Sequence, residues 1–134
     1  MPKKPPEVTK LIKLKVCESI ASGSTPHECR KDLYRLRGVT VHPRYCTGKR
    51  KFWFNINPNS LRADYELWIC GDPGRWYLIP ANALRQMYEH PKAYPDAHHA
   101  EIRVVSVDAS THKASYASPG VNLDLSPYLG AILK

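Results

Sequence analysis

The sequence predicts an α+β fold: an N-terminal helical pair followed by a mostly antiparallel sheet with packing helices. Three observations predict it. Apolar residues before Gly38 recur at helical spacing, and beyond Gly38 they alternate with polar ones at strand spacing. No linker or internal repeat divides the 134 residues, a length that suits one domain at roughly 100–200 residues each. Residues 1–134 are therefore expected to form a single domain, with residues 1–6 as a flexible basic tail.

The first helix is expected from Val8 to about Ala21. Val8, Leu11, Ile12, Val16 and Ile20 fall on i, i+3 and i+4 spacing, and Gly23 closes the run. Ile12, Leu14 and Val16 also alternate with Lys13 and Lys15 in a strand-like way, but the wider window fits the helical period better. Thr25-Pro26 followed by Glu28 reads as a capping box with proline in the first turn. It predicts a second helix from Pro26 to about Arg37, stopped by Gly38, with Leu33 and Leu36 as apolar contacts.

The strands come next. Val39–Val41 is a short strand broken by Pro43, and a loop from Arg44 to Lys51 carries Gly48. Lys51–Ile56 alternates Phe52, Phe54 and Ile56 against Trp53 and Asn55. NPNSLRAD is a polar connection with one helical turn. Tyr65–Cys70 and Arg75–Ile79 flank GDPG, a compact turn, and form a hairpin expected at the sheet centre. Pro80 opens a helix, ANALRQMYEH, that ends before Pro91. After a loop rich in Pro and His, Glu101–Val107 pairs with Lys113–Ala117 across DASTH. Ser126-Pro127 opens a short closing helix.

Charge is the strongest functional signal. Residues 1–51 hold thirteen Lys/Arg against four Asp/Glu, whereas residues 52–134 hold seven against eight, so the whole net charge of +8 lies in the first part of the chain. Gathered on one face, those residues would present a strong positive field to a polyanion. The candidates are Lys10, Lys13 and Lys15 on the first helix, Arg30, Lys31, Arg35 and Arg37 on the second, and Arg44, Lys49, Arg50 and Lys51 in the following loop and strand. Two helices, a short turn and a basic hairpin are the order of a winged helix-turn-helix, in which the second helix reads the major groove. Against this stands the plainer reading of a solvated helical surface. Trp53, beside the KRK run, is a candidate to stack on an unpaired base, although packing into the core is the preferred role in so aromatic a strand.

Other chemistry is sparsely represented. His27, Cys29, His42 and Cys46 supply N and S donors, but H-x-C and H-x-x-x-C are not paired C-x-x-C spacings. A helix would also point His27 and Cys29 about 200° apart, so no metal is expected. His90, His98, His99 and His112 lie in loops and are read as solvated. No P-loop, G-x-G-x-x-G, H-E-x-x-H or G-x-S-x-G is present. Asp96, Glu101 and Arg103 in PDAHHAEIR have the look of a nuclease carboxylate motif, but with too short a gap and arginine in place of lysine.

The N-terminus MPKKPPEVTK lacks the apolar core of a secretory signal. No stretch approaches the ~18 apolar residues that cross a bilayer. A soluble, cytoplasmic protein with reduced thiols at Cys17, Cys29, Cys46 and Cys70 is expected, with no membrane partner.

The stretch KFWFNINPNSLRADYELWICGDPGRWYLIPANALRQMY resembles the later core of small restriction-endonuclease-like proteins of the PD-(D/E)XK superfamily. There a basic strand with an aromatic run precedes a polar turn, an alternating strand, and a strand ending in LIP that leads into a helix. The resemblance covers roughly residues 33–90 and, more weakly, 101–129. It implies DNA as the partner. It transfers no catalytic residue, because the Asp and Glu-x-Lys that should precede this stretch are missing from residues 1–50. The expectation is a nucleic-acid-binding domain, DNA favoured over RNA, built like a catalytically silent nuclease and needing no cofactor. A Mg²⁺-dependent endonuclease with an atypical site, and a protein-interaction or inhibitor module using the basic face, are the alternatives. The oligomeric state is left open, a dimer included.

Overall fold

The computed structural model describes residues 6–57, 61–117 and 120–133. Among them lie two helices and nine strands. These are α1 (Pro6–Ile20), β1 (His27–Arg30), β2 (Leu33–Leu36), β3 (Val39–Cys46), β4 (Lys51–Ile56), β5 (Tyr65–Cys70), β6 (Trp76–Pro80), α2 (Ala81–Tyr88), β7 (Arg103–Asp108), β8 (Lys113–Ala117) and β9 (Val121–Asp124), followed by a 3-10 turn at Ser126–Tyr128. The architecture is α+β, as the sequence pattern predicts. The proposed tail falls almost wholly outside the described residues, as do residues 58–60 of the NPNSLRAD connection.

The strands form two sheets rather than one. The first has the order β1-β2-β3-β5-β6, and the second β4-β7-β8-β9. All neighbours are antiparallel except β3 and β5, which run parallel with Val41 opposite Tyr65 and Cys46 opposite Cys70. Parallel neighbours need a crossover, and here β4 supplies it from the other sheet. The GDPG hairpin forms with Tyr65 opposite Pro80 and Ile69 opposite Trp76. It is not the sheet centre: β6 is an edge, and β3 is the middle strand.

Two apolar layers hold these parts together. Val16, Cys17 and Ile20 of α1 pack on Tyr34, Leu36, Val41, Leu67, Ile69 and Leu78 of the first sheet. The opposite face of β5 and β6, with Trp68, Cys70, Tyr77 and Ile79, packs on Phe52, Phe54, Ile56, Val105, Val107 and Ala114 of the second sheet and on Leu84, Met87 and Tyr88 of α2. Phe54 and Trp68 stack across the two sheets, ring centroids 4.9 Å apart and 19° from parallel. The strand β5 is thus buried on both faces, which is why YELWIC is almost continuously apolar.

The second N-terminal helix does not form. Residues 27–36 are a β-hairpin, and β2 pairs with β3 with Leu36 opposite Val39. The two residues between them, Arg37 (φ 48°) and Gly38 (φ 79°), both adopt positive φ, as the tight hairpin turn that matches strand twist requires. Tyr34 and Leu36 are buried while Arg35 between them is exposed, a period of two where Leu33 and Leu36 had suggested three. Glu28 does not cap a helix; its carboxylate accepts the Asp32 backbone N–H across the β1–β2 turn (3.1 Å). The long-range ladder with β3 overrides the local capping signal.

Smaller departures have similar causes. β3 continues through Pro43, beyond the last residue paired with β2, where a missing N–H interrupts no ladder on that side. β9 was not foreseen, and Ser126-Pro127 opens only the single 3-10 turn, the Ser126 hydroxyl donating to Asp124 Oδ1 (2.7 Å). α1 buries Val16, Cys17 and Ile20 near its C-terminal end and leaves Val8 and Leu11 exposed. β4, the β7–β8 pair and α2 lie where the alternation and turn signals put them, within two residues. Among the described residues, no helix is long and apolar enough to cross a membrane.

Candidate functional site

The basic residues of the first part of the chain are spread over α1, β1 to β4 and the turns between them. Four of them are paired with carboxylates. Lys10 Nζ lies 3.2 Å from Glu28, and Lys13 Nζ lies 3.3 Å from Asp32, so both helix lysines tie α1 to the β1–β2 hairpin. The Asp32 N–H, followed by Lys10, holds the Glu28 carboxyl below its usual range. Arg44 Nε lies 2.6 Å from Glu66 Oε1, and Arg50 Nε lies 3.8 Å from Asp108. Lys15 is exposed on α1. Arg35 stands exposed on β2, and Arg37 donates to the Ser22 carbonyl (3.4 Å). With no helix at 26–37, the winged helix-turn-helix arrangement falls, and with it the role of Arg30 and Arg35 as groove readers.

Two groups of cations remain accessible, at the two ends of β4. The first is the KRK turn. Gly48 sits where a Cβ would meet the Lys51 carbonyl oxygen at 2.7 Å, and Gly71 where a Cβ would meet the Gly48 carbonyl oxygen at 2.9 Å. Only glycine allows this approach of the β3–β4 turn to the β5–β6 turn. Arg75 donates to the Lys49 carbonyl (3.2 Å), and the Ala109 N–H donates to the Arg50 carbonyl (2.8 Å). The turn is therefore held on both sides while the Lys49 and Lys51 side chains stay exposed.

Trp53 follows on the same side of β4. The burial of Phe52, Phe54 and Ile56 sends Lys51, Trp53 and Asn55 outward, and Trp53 is 60% exposed. This corrects the expectation of a packing role: the core takes the two phenylalanines, and the alternation leaves the indole in water. Beside it on β7 stand Ser106, its direct partner, and Asp108, opposite Lys51.

The second group surrounds a concavity of about 400 Å³ lined by Arg30, Lys31, Leu33, His42, Asn57, Arg62 and Ala63. Arg30 and Lys31 come from the β1–β2 turn, His42 from β3, and Arg62 from the segment after β4. Behind the concavity lies Glu66, the one fully buried charged residue among those described. Its Oε1 takes Arg44 and the Trp68 indole N–H (3.3 Å). Its Oε2 lies 3.2 Å from His42 Nδ1, off the line of a hydrogen bond, so both atoms are buried without an aligned partner. The nearby Tyr88 hydroxyl is also buried without one, and burial pushes its phenol well above the usual range.

His42, Glu66, Asn57 and Arg62 were not foreseen as a group. Glu66 did leave a trace in the sequence, as a carboxylate inside the apolar run YELWIC. His27 and Cys29 share a strand rather than a helical turn, and among the described residues no three His, Cys, Asp or Glu side chains gather as metal ligands would. Asp96 accepts the backbone N–H groups of His98 and His99 (2.9 and 3.1 Å), a local turn, and Glu101 is exposed beside His99. Two loop histidines are not solvated as expected: His112 Nδ1 pairs with the Tyr77 hydroxyl at 2.7 Å, and the His90 ring meets Tyr116 edge-on. No protein-family model, no curated protein and no solved structure matches this chain.

Proposed function

We propose that this chain binds nucleic acid along the outward face of β4, with Lys49 and Lys51 on phosphate and Trp53 stacked on an unpaired base. The observation that carries the reading is the exposed Trp53, set beside lysines on a turn whose backbone is held on both sides. An indole left mostly in water contributes little to folding, whereas base–aromatic stacking is worth about 1–3 kcal/mol per base. The lysines supply the sequence-independent attraction that phosphate contacts provide. The charge segregation of the sequence and its resemblance to DNA-cleaving proteins support the same partner and make DNA the first ligand to try.

The test is a salt-titrated binding measurement with single-stranded DNA, duplex DNA and RNA, read by quenching of tryptophan fluorescence and by anisotropy of labelled oligonucleotides. Tightest binding to the single strand, with affinity falling as salt rises, is expected. Absence of binding to all three would hand the basic surface to an acidic protein partner. Cleavage of plasmid DNA in Mg²⁺ but not in EDTA would add nuclease activity to the reading.

A further inference from the structure

We infer that the concavity between the β1–β2 turn and the end of β4 is a phosphate-binding site, formed by Arg30, Lys31 and Arg62 around His42. This rests in part on the nucleic-acid reading, because it gives the β4 track an end point, but its own grounds are separate.

The first ground is charge. Arg30, Lys31 and Arg62 line one recess and are all exposed, and no Asp or Glu shares its lining. Neither a hydrogen bond to a side-chain acceptor nor an ion pair engages any of the three among the described residues. Four other cations of the same segment face carboxylates, Lys10 at Glu28, Lys13 at Asp32, Arg44 at Glu66 and Arg50 at Asp108, whereas Arg30, Lys31 and Arg62 meet one another across the recess. Three like charges kept together repel one another, and an anion of two charges lowers that cost. Two guanidinium forks match the oxygens of a phosphate, and the ammonium adds a third donor from the side.

The second ground is the wall. Glu66, buried behind the recess, is committed to Arg44 at 2.6 Å, and Glu28 and Asp32, which lie beside Lys31, are engaged by Lys10 and Lys13. Glu66 Oε2 lies 3.2 Å from His42 Nδ1, off the line of a hydrogen bond. His42 itself lines the recess, and an imidazole N–H is a further donor for an anion there. A volume of about 400 Å³ exceeds what a bare phosphate fills, and it falls within the roughly 300–1,000 Å³ of small-ligand sites. The recess therefore has space for the sugar that carries the phosphate.

The third ground is placement. Asn57 lines the recess and lies four residues beyond Trp53 on the same strand path, ~13 Å away at the usual strand rise. A strand stacked on Trp53 would bring a neighbouring phosphate, internal or terminal, into it.

The probe is inorganic phosphate, followed by two-dimensional NMR of the ¹⁵N-labelled chain, with equal ionic strength of chloride as the reference. Phosphate should shift the amides of Arg30, Lys31, His42 and Arg62 saturably and leave Trp53 unmoved. The variants Arg62→Gln and Arg30→Gln, both at exposed positions, should each weaken phosphate at least fivefold with unchanged spectra elsewhere. Shifts equal to those in chloride, or variants that bind as the parent does, would overturn the site. Oligonucleotides carrying a 5′-phosphate, a 3′-phosphate or neither separate a terminal from a backbone phosphate. A terminal site gives a preference for one of the first two, and a backbone site gives none, with Arg62→Gln weakening all three alike. If oligonucleotides quench Trp53 while phosphate leaves the recess unmoved, the β4 track stands and this site falls. If phosphate binds and no oligonucleotide does, the reverse holds.

Discussion

Arg44 and Glu66 meet on neighbouring parallel strands, Nε 2.6 Å from Oε1, with the Glu66 side chain 1% and the Arg44 side chain 19% exposed. The pair joins β3 to β5 on the side facing away from α1, where apolar packing gives way to the cationic recess. Removing one partner strands the other charge in a medium that cannot solvate it, at about 3–5 kcal/mol for a buried pair. Arg44→Ala should therefore lower urea stability strongly, whereas Arg44→Leu combined with Glu66→Leu should recover most of the loss. A double variant as unstable as the single one would show that the strands depend on the charges themselves.

The thiols should separate by burial. Cys29 is exposed, whereas burial pushes the Cys17 and Cys70 thiols up to about 12 from 9.0. At pH 8 both stay protonated and covered, and the thiolate is the reactive form. A thiol reagent on the native protein should label Cys29 first, with Cys17 and Cys70 reacting only on unfolding. Fast labelling of Cys70, read by peptide mass, would contradict the packing of β5 between two layers.

Acid should loosen the second sheet. Asp108 accepts the Ser110 hydroxyl and N–H, and Asp124 accepts the Ser126 N–H and hydroxyl; these bonds hold both carboxyls below their usual 3.8. A carboxyl depressed in the folded state contributes stability that is fully present above its unfolded pKa and is lost as pH falls through the folded one. Stability should therefore drop as pH falls below about 4. Asp108→Asn combined with Asp124→Asn should flatten that limb in denaturant titrations taken at successive pH values. An unchanged acid limb would assign it to other groups.

Hydrogen exchange should rank the strands. Leu67–Ile69 of β5 are paired on both sides and buried, so their amides should be among the slowest. β6, an edge, should exchange faster than β5. Equal protection in both would make the hairpin, rather than the sheet interior, the cooperative unit.

Trp53 and the KRK turn test function without touching the core. Trp53→Ala should change stability by no more than about 0.5 kcal/mol, as surface substitutions do. It should weaken single-strand binding by about 1–3 kcal/mol. Lys49→Ala with Lys51→Ala should reduce the salt slope by about 0.7 per lost contact on a single strand, or about 0.9 on a duplex. Variants that bind like the parent with the same slope would turn the charge segregation into surface composition.

The sequence by itself determined much of the strand layout. Alternation in Lys51–Ile56, the GDPG turn between two apolar runs, and proline at the head of ANALRQMY are local signals, and local interactions satisfy them. It also showed that the chain is basic at one end. What it could not show was where that charge goes. Thr25-Pro26 with Glu28 is a sound helix start by local rules, but Tyr34 and Leu36 lie beneath α1 only if residues 33–36 are extended and paired with β3. That pairing, and the parallel β3–β5 pairing that seats Arg44 beside Glu66, join residues distant in the chain, and no local pattern encodes a partner. Trp53 shows the same division. Its strand was legible, but its exposure was decided by which of the two faces of β4 met the other sheet. The tertiary structure placed some basic side chains against carboxylates and left Lys49, Lys51, Arg30, Lys31 and Arg62 exposed, because a charge is neutralised by its neighbours in space.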